Sequence, residues 1–218
     1  MAMTADGKIA TANRAVSSFT SARDHEHLLE LRATADAVMA GARTVDSGPI
    51  DLGPGPAKFR RQRLKHRLAE YNLRVIVSRS GSINPRAKVF QHRFSPIIIL
   101  TTRRADASRL KRLRALADVV KICGRKEINF RAALRWLRKE WRVKRLLCEG
   151  GGELNDALFR AGLVDELHLT ICPKIFGGRH APTIADGRGF SHLTGAERFR
   201  MKSARRIGGE LFTVFVRG

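Results

Sequence analysis

"LLCEGGGELNDALFRAGLVDEL", residues 146–167, sets an apolar run ahead of a carboxylate, three glycines, a helical pattern and a second apolar run. A strand that ends in glycine and turns into a helix leaves backbone N–H groups unpaired at the helix start, where their dipole favours phosphate. Glycine suits such a turn because an anion approaches the main chain only where no Cβ intervenes. Gly150, Gly151 and Gly152 meet that description, and Asn155 offers a side-chain donor in the first turn. The same three glycines also read as a plain tight connection, since a lone glycine run is weak evidence. Glu149 is harder to explain structurally: a carboxylate closing an apolar run must be paired or hydrogen-bonded if it is buried. Facing a cleft, it could bind a donor-rich ring or manage a proton.

Working outward, short apolar runs alternate with helix-length amphipathic segments. The runs are "DAVMAG" (36–41), "LRVIVS" (73–78), "PIIILTT" (96–102), "DVVKIC" (118–123), "RLLCEG" (145–150) and "ELHLTICPKIF" (166–176). This is the pattern of an α/β sheet covered by helices. Ser21 followed by Asp24 predicts a capping box opening the first helix, with Leu28, Leu29, Leu31 and Ala35 on its buried face. "DSGPIDLGPGPA" (46–57) is too rich in Gly and Pro for a helix or a ladder and reads as a loop, as does "GGRHAPTIADGRGF" (177–190). "ERFRMKSARRIGGELFTVFVRG" reads as two strands turning near Gly208-Gly209. The expected fold is therefore a mixed, mostly parallel sheet flanked by helices and closed by an antiparallel C-terminal hairpin. At 218 residues and 43% hydrophobic content the chain reads as one domain, 1–218.

A second phosphate-type turn is "GARTV" (41–45), where Thr44 and the amides after Gly41 could hold one phosphate and Arg43 pair with another. Neither turn is a Rossmann Gly-x-Gly-x-x-Gly or a nucleotide-hydrolase loop, which suggests a dinucleotide bound some other way. In "MTADGKIAT" (3–11), Asp6-Gly7 forms a turn with Lys8 beside it, and on spacing alone this is a surface hairpin tip. The seven histidines show no metal-ligand spacing, so no metal is expected. Cys123, Cys148 and Cys172 read as small reduced residues. With no membrane-length run and no signal-peptide core, the cytoplasm is the expected location and a membrane is not expected as a partner.

The formal charge of +22 favours anionic partners. The basic runs "KFRRQRLKHR", "RRADASRLKRLR" and "RWLRKEWRVKRL" interleave with apolar residues at helical spacing and are read as solvated helix faces. A nucleic-acid-binding reading finds no recognisable module and only 6% aromatic content for base stacking, so it stands as the less favoured alternative, one that steeply salt-dependent binding of generic RNA or DNA would support.

Taken in order, "MTADGKIAT", "SSFTS", "LRATADAVMAGARTV", "LLCEGGGELNDALFRAGLVDEL" and "PKIFGGRHAPTIADGRGF" make nearly the whole chain resemble the reductase domain of riboflavin biosynthesis, a pyrimidine reductase with a dihydrofolate-reductase-like fold. The resemblance implies NADPH as hydride donor, a homodimer, and as substrate a ribosylaminopyrimidine 5′-phosphate, either the uracil or the 2,5-diamino-pyrimidinone form, reduced to its ribityl form. It implies cofactor contacts at Ala2, Gly41, Thr44, Ser80, Gly151, Gly152, Glu153, Leu154 and Asn155. For substrate it points to Lys8, Ser17, Arg32 and Glu149, with Lys8 and Glu149 in the catalytic roles. Arg32 suits a phosphate, and Glu149 suits the donor edge of an aminopyrimidine. The family pattern expects an aspartate where Gly48 stands; Asp46 or Asp51 could reach the same space, or the substrate could differ. It also expects more apolar residues before "MTADGK", so that the first strand is either a stub or begins upstream. No zinc deaminase signature is present, so deamination is expected from a separate protein.

Overall fold

The computed structural model describes residues 1–14 and 19–218. In chain order its strands and helices are β1 (Ala2–Thr4), α1 (Ala22–Arg32), β2 (Ala37–Gly41), α2 (Ala42–Asp46), α3 (Ala57–Lys65), β3 (Leu73–Val77), β4 (Ile97–Thr101), α4 (Ala107–Leu116), β5 (Val119–Ile122), α5 (Phe130–Trp141), β6 (Leu146–Cys148), α6 (Gly152–Arg160), β7 (Glu166–Cys172), β8 (Phe199–Ile207) and β9 (Glu210–Arg217). They form two compact units, one of residues 27–149 and one of 1–26 with 150–218.

The 27–149 unit holds a five-stranded parallel sheet in the order β5-β4-β3-β2-β6. Its strands are β-branched and apolar, and Val38, Val75, Ile76, Ile98 and Ile99 lose all contact with solvent, as strands covered on both faces must. Each of the first five runs expected as strands is one, within one or two residues at either end. The sequence order turns back at β2: β3, β4 and β5 extend to one side, while β6 pairs on the other, parallel to β2 from Ala37↔Leu146 to Met39↔Cys148. In an open α/β sheet that reversal opens a crevice at the carboxyl ends of the two strands, where ligands bind.

The other unit holds the four-stranded sheet β1-β7-β9-β8. The three residues of β1 pair parallel to β7, with Ala2 opposite Thr170. β9 runs antiparallel to both β7 and β8, and the hairpin closes at Gly208 and Gly209, both at positive φ (58° and 87°). A two-residue turn of that kind matches strand twist and calls for glycine at both places. β7 stops at Cys172, so "PKIF" belongs to the following loop and not to the strand.

α1 opens as expected at Ser21, whose hydroxyl accepts the Asp24 N–H at 3.2 Å. The reciprocal half of the cap comes from far along the chain: Glu210, buried on β9, accepts the Ser21 N–H at 2.8 Å and its hydroxyl at 2.5 Å. Leu29, Ala33 and Ala35 are buried, Leu28 and Leu31 only half-buried, and Arg32 at the end of α1 is buried too.

The reading of the basic runs as solvated faces fails at Arg63, which is 1% exposed. It donates to the carbonyls of Arg32 (2.7 Å), Ala35 (2.6 Å) and Ala69 (2.8 Å), so it ties the end of α1 to the segment that follows α3. Arg74, in mid-strand on β3 and fully buried, binds the carbonyls of Val89 (2.7 Å), His92 (2.9 Å) and Ser95 (2.5 Å) and lies over the Phe94 ring. Burial lowers its pKa to about 10, which leaves it charged at neutral pH. α5 closes on an arginine in the left-handed region, Arg142 (φ 56°), and α3, capped by His66, is followed by another, Arg67 (φ 58°). Among the described residues no helix is long and apolar enough to cross a membrane.

Replacing Arg74 by Leu removes the donor to the carbonyls of Val89, His92 and Ser95. We expect a loss of about 3 kcal/mol, read as a lower urea midpoint with an unchanged slope.

Candidate active site

β2 and β6 are neighbours and parallel, so Gly41 and Glu149 leave the sheet at the same edge. The Glu149 N–H donates to the Met39 carbonyl at 2.8 Å, extending the β6 ladder by one residue and fixing where the carboxylate starts. Arg32, carried in by the last turn of α1, meets it as a two-pronged fork: Nε to Oε1 at 2.6 Å and an Nη to Oε2 at 2.7 Å, with each side chain 9% exposed. Its other Nη donates to the Gly53 carbonyl at 2.6 Å and stands 3.8 Å from Asp51. Burial alone would lower the Arg32 pKa, but the Glu149 and Asp51 carboxylates outweigh it and hold the value above the ordinary arginine range.

Arg32 and Glu149, expected to serve different parts of a substrate, are therefore bound to each other. The fork occupies one acceptor direction on each Glu149 oxygen and leaves another on each. The two aspartates that could stand in for the one expected at Gly48 separate cleanly. Asp46 accepts the Asn84 N–H at 3.0 Å, whereas Asp51 caps the Gly53 N–H at 2.8 Å and faces Arg32. The 46–57 loop is ordered around this point: Leu52 is fully buried, and a Cβ on Gly53 would lie 2.6 Å from the Phe94 ring.

At the end of β2, Gly41 caps the five-residue α2 with extended backbone (φ −73°, ψ 150°) and no side-chain cap. Thr44 is half-buried in this turn and Arg43 is exposed. Ser80, beyond β3, accepts the Ser82 N–H on its hydroxyl and an Arg109 Nη on its carbonyl.

In the other unit, Gly150 has φ +85°, the Gly150–Gly151 peptide is cis, and Gly151 caps α6 without a side-chain cap. A Cβ on Gly152 would stand 2.7 Å from the Thr183 carbonyl, so only glycine fits. Leu154 is buried, and the Asn155 amide donates to the Ile184 carbonyl at 2.8 Å, tying α6 to the loop at 183–189. Asp156 accepts the Gly189 N–H and pairs with Arg160 at 2.8 Å.

Lys8 bridges to Thr183 in the same loop, and its Nζ reaches the Ala181 carbonyl at 3.4 Å. The hairpin tip read at Asp6-Gly7 is more than a tip. The Asp6 carboxylate takes the Thr4 hydroxyl (2.5 Å) and the N–H groups of Phe176 (3.2 Å) and Gly177 (2.7 Å), locking "DGK" against "IFGG". The Thr4 hydrogen bond leads the effects that lower the Asp6 pKa. The sequence marks Asp6 only as part of a turn and does not mark Asp156; the Thr-x-Asp spacing at 4–6 is the signal available for the clamp that Asp6 makes. Ser17 lies outside the described residues. Among the described residues no three potential ligands gather to hold a metal ion.

The profile of the family described as "RibD C-terminal domain" matches residues 1–213. A protein of Methanothermobacter thermautotrophicus named 2,5-diamino-6-ribosylamino-4(3H)-pyrimidinone 5′-phosphate reductase is 32% identical over 98% of this chain and 94% of its own. One of the same name from Archaeoglobus fulgidus is 30% identical over 100% of this chain and 95% of its own. The solved structure of a pyrimidine reductase-like protein from Corynebacterium diphtheriae superposes with a TM-score of 0.81 over 100% of this chain and 89% of that one, and at 22% identity it shows the shared fold.

Two outcomes follow from these contacts. Glu149→Gln leaves Arg32 buried beside a neutral amide and should lower stability by about 3 kcal/mol, visible as a lower melting temperature without any ligand. Cys172, 3.5 Å from Glu210, is pushed up to about 12, first by burial and then by that carboxylate. Its neutral thiol stabilises the native state below an unfolded value of 9.0, and the contribution is lost as pH rises from there towards 12. Cys172→Ala should therefore flatten the alkaline fall in melting temperature.

Proposed function

Because this chain belongs to the RibD C-terminal domain family, we propose that it is a nicotinamide-dependent reductase that uses NADPH to convert the ribosyl group of a ribosylaminopyrimidine 5′-phosphate to the ribityl form. The observation that carries the reading is the Glu149 carboxylate, held by Arg32 at the carboxyl end of β6, next to the point where the strand order reverses. A carboxylate with acceptor capacity left over suits an exocyclic amino group. The 2,5-diamino-pyrimidinone has such a group at position 2, where the uracil form has a carbonyl that a carboxylate repels. The names of the relatives at 32% and 30% identity support the same choice.

The chain's residues suit a phosphate-bearing cofactor. Both glycine turns open a helix without a side-chain cap, and Gly152 lies too close to the Thr183 carbonyl for any larger residue. We assign cofactor contacts to Gly41, Thr44 and Ser80 in the 27–149 unit, and to Ala2, Gly151, Gly152, Glu153, Leu154 and Asn155 in the other. Since Leu154 is buried and the Asn155 amide is engaged with Ile184, those two contribute through their main chain. Bound reduced nicotinamide supplies a hydride to C1′ of the open-chain imine. The electron pair of the carbon–nitrogen double bond then moves to nitrogen, which takes up a proton. Lys8, held by its bridge to Thr183, is the proton source, directly or through water. Arg32 orients Glu149, and Glu149 orients the ring so that C1′ is presented in one pose. The chain acts as a single reductase domain and as a homodimer.

Loss of NADPH absorbance with each of the two ribosylaminopyrimidine phosphates tests this. We expect turnover with the diamino form, loss of turnover in Glu149→Gln, and a kcat lowered about 10²-fold in Lys8→Ala. NADPH binding with turnover of neither sugar would assign the site to another substrate.

A further inference from the structure

The charge of +22 is not used up by the proposed reaction, and the structure sorts part of it. α5 buries Phe130, Ala133 and Leu137 on one side. On the opposite side, Arg131, Arg135, Arg138 and Arg142 follow one another at spacings of four, three and four, and all are exposed. At 3.6 residues per turn Arg131, Arg135 and Arg138 fall within an arc of about 60° and form a row about 10 Å long, with Arg142 standing just past the end of the helix. A row of that length is long enough to meet more than one phosphate of a nucleic-acid backbone. The helix carries one carboxylate, Glu140, which lies on another side and 3.8 Å from Lys139. Exposed Lys144 and Arg145 follow immediately after the row.

The last arginine is informative in a second way. Arg142 closes α5 at φ 56°, a position that glycine adopts without strain and an arginine does not. The row is thus extended at the expense of the helix terminus. The large apolar side chains exposed in this unit, Leu64 and Ile122, lie on α3 and β5, so the row itself offers a lipid surface nothing to insert.

We propose that α5 is a docking face for the phosphodiester backbone of nucleic acid, gripped by Arg131, Arg135, Arg138 and Arg142 through charge and without reading sequence. None of the four arginines is among the groups shown bonded to Arg32 or Glu149, so we expect reductase turnover to be independent of the row.

The test is fluorescence anisotropy of the intact protein with labelled duplex RNA and duplex DNA of two helical turns, over a range of salt. Binding should weaken with salt, and the log–log slope should fall by about 0.9 for each arginine removed. The triple variant Arg131→Gln, Arg135→Gln, Arg138→Gln should show that fall with reductase turnover intact. A control triple variant, Arg200→Gln, Arg205→Gln, Arg206→Gln on β8, removes the same charge and should leave the slope unchanged. Arg142→Gly should weaken binding while raising the melting temperature, a combination that damage to the fold cannot produce. The preferred duplex identifies whether RNA or DNA is the partner. Equal losses in the two triple variants, tighter binding to phosphatidylglycerol vesicles than to either duplex, or no binding at low salt would each overturn the proposal.

Discussion

A carboxylate at the inner end of a parallel strand has to be neutralised, and the Arg32–Glu149 fork does this with good geometry on both sides. Much of the 27–149 unit is arranged around that pair. α1 must end where Arg32 can reach β6, the 46–57 loop must present the Gly53 carbonyl and the Asp51 carboxylate, and Glu149 must stay in register with Met39. Removing either partner leaves a buried charge, so the pair is a stability element in its own right.

Two further arginines serve as internal connectors. Arg63 binds carbonyls at and just past the end of α1, and Arg74 gathers the carbonyls of Val89, His92 and Ser95. A guanidinium suits both places because its planar fork offers several donors at fixed angles and stays charged when buried. The arginines of this chain therefore include an inward set that organises loops and an exposed set that includes the row on α5.

In the other unit the corresponding work is done by acids. Asp6 holds the two loops that carry "DGK" and "IFGG", Asp156 holds the start of the 189–198 segment, and Glu210 completes the cap of α1. Each carboxylate accepts backbone N–H groups that no helix or ladder would otherwise satisfy, which is how irregular segments stay ordered.

Element order and type were legible in the sequence because they rest on local rules. Apolar runs of strand length, the Ser21 cap and the Gly208-Gly209 turn each encode their own conformation within a few residues. The glycine turn after β6 and the need of Glu149 for a partner were legible for the same reason. Tertiary structure alone decided that Glu149 would meet Arg32, 117 residues away, and that Ser21 would share its cap with Glu210, 189 residues away. It also decided that Asp51 and not Asp46 would join the pair, and that Arg63 would turn inward from a run of exposed cations. A charge in the sequence has the same pattern whether water or a distant carbonyl satisfies it, and only the fold places the carbonyl.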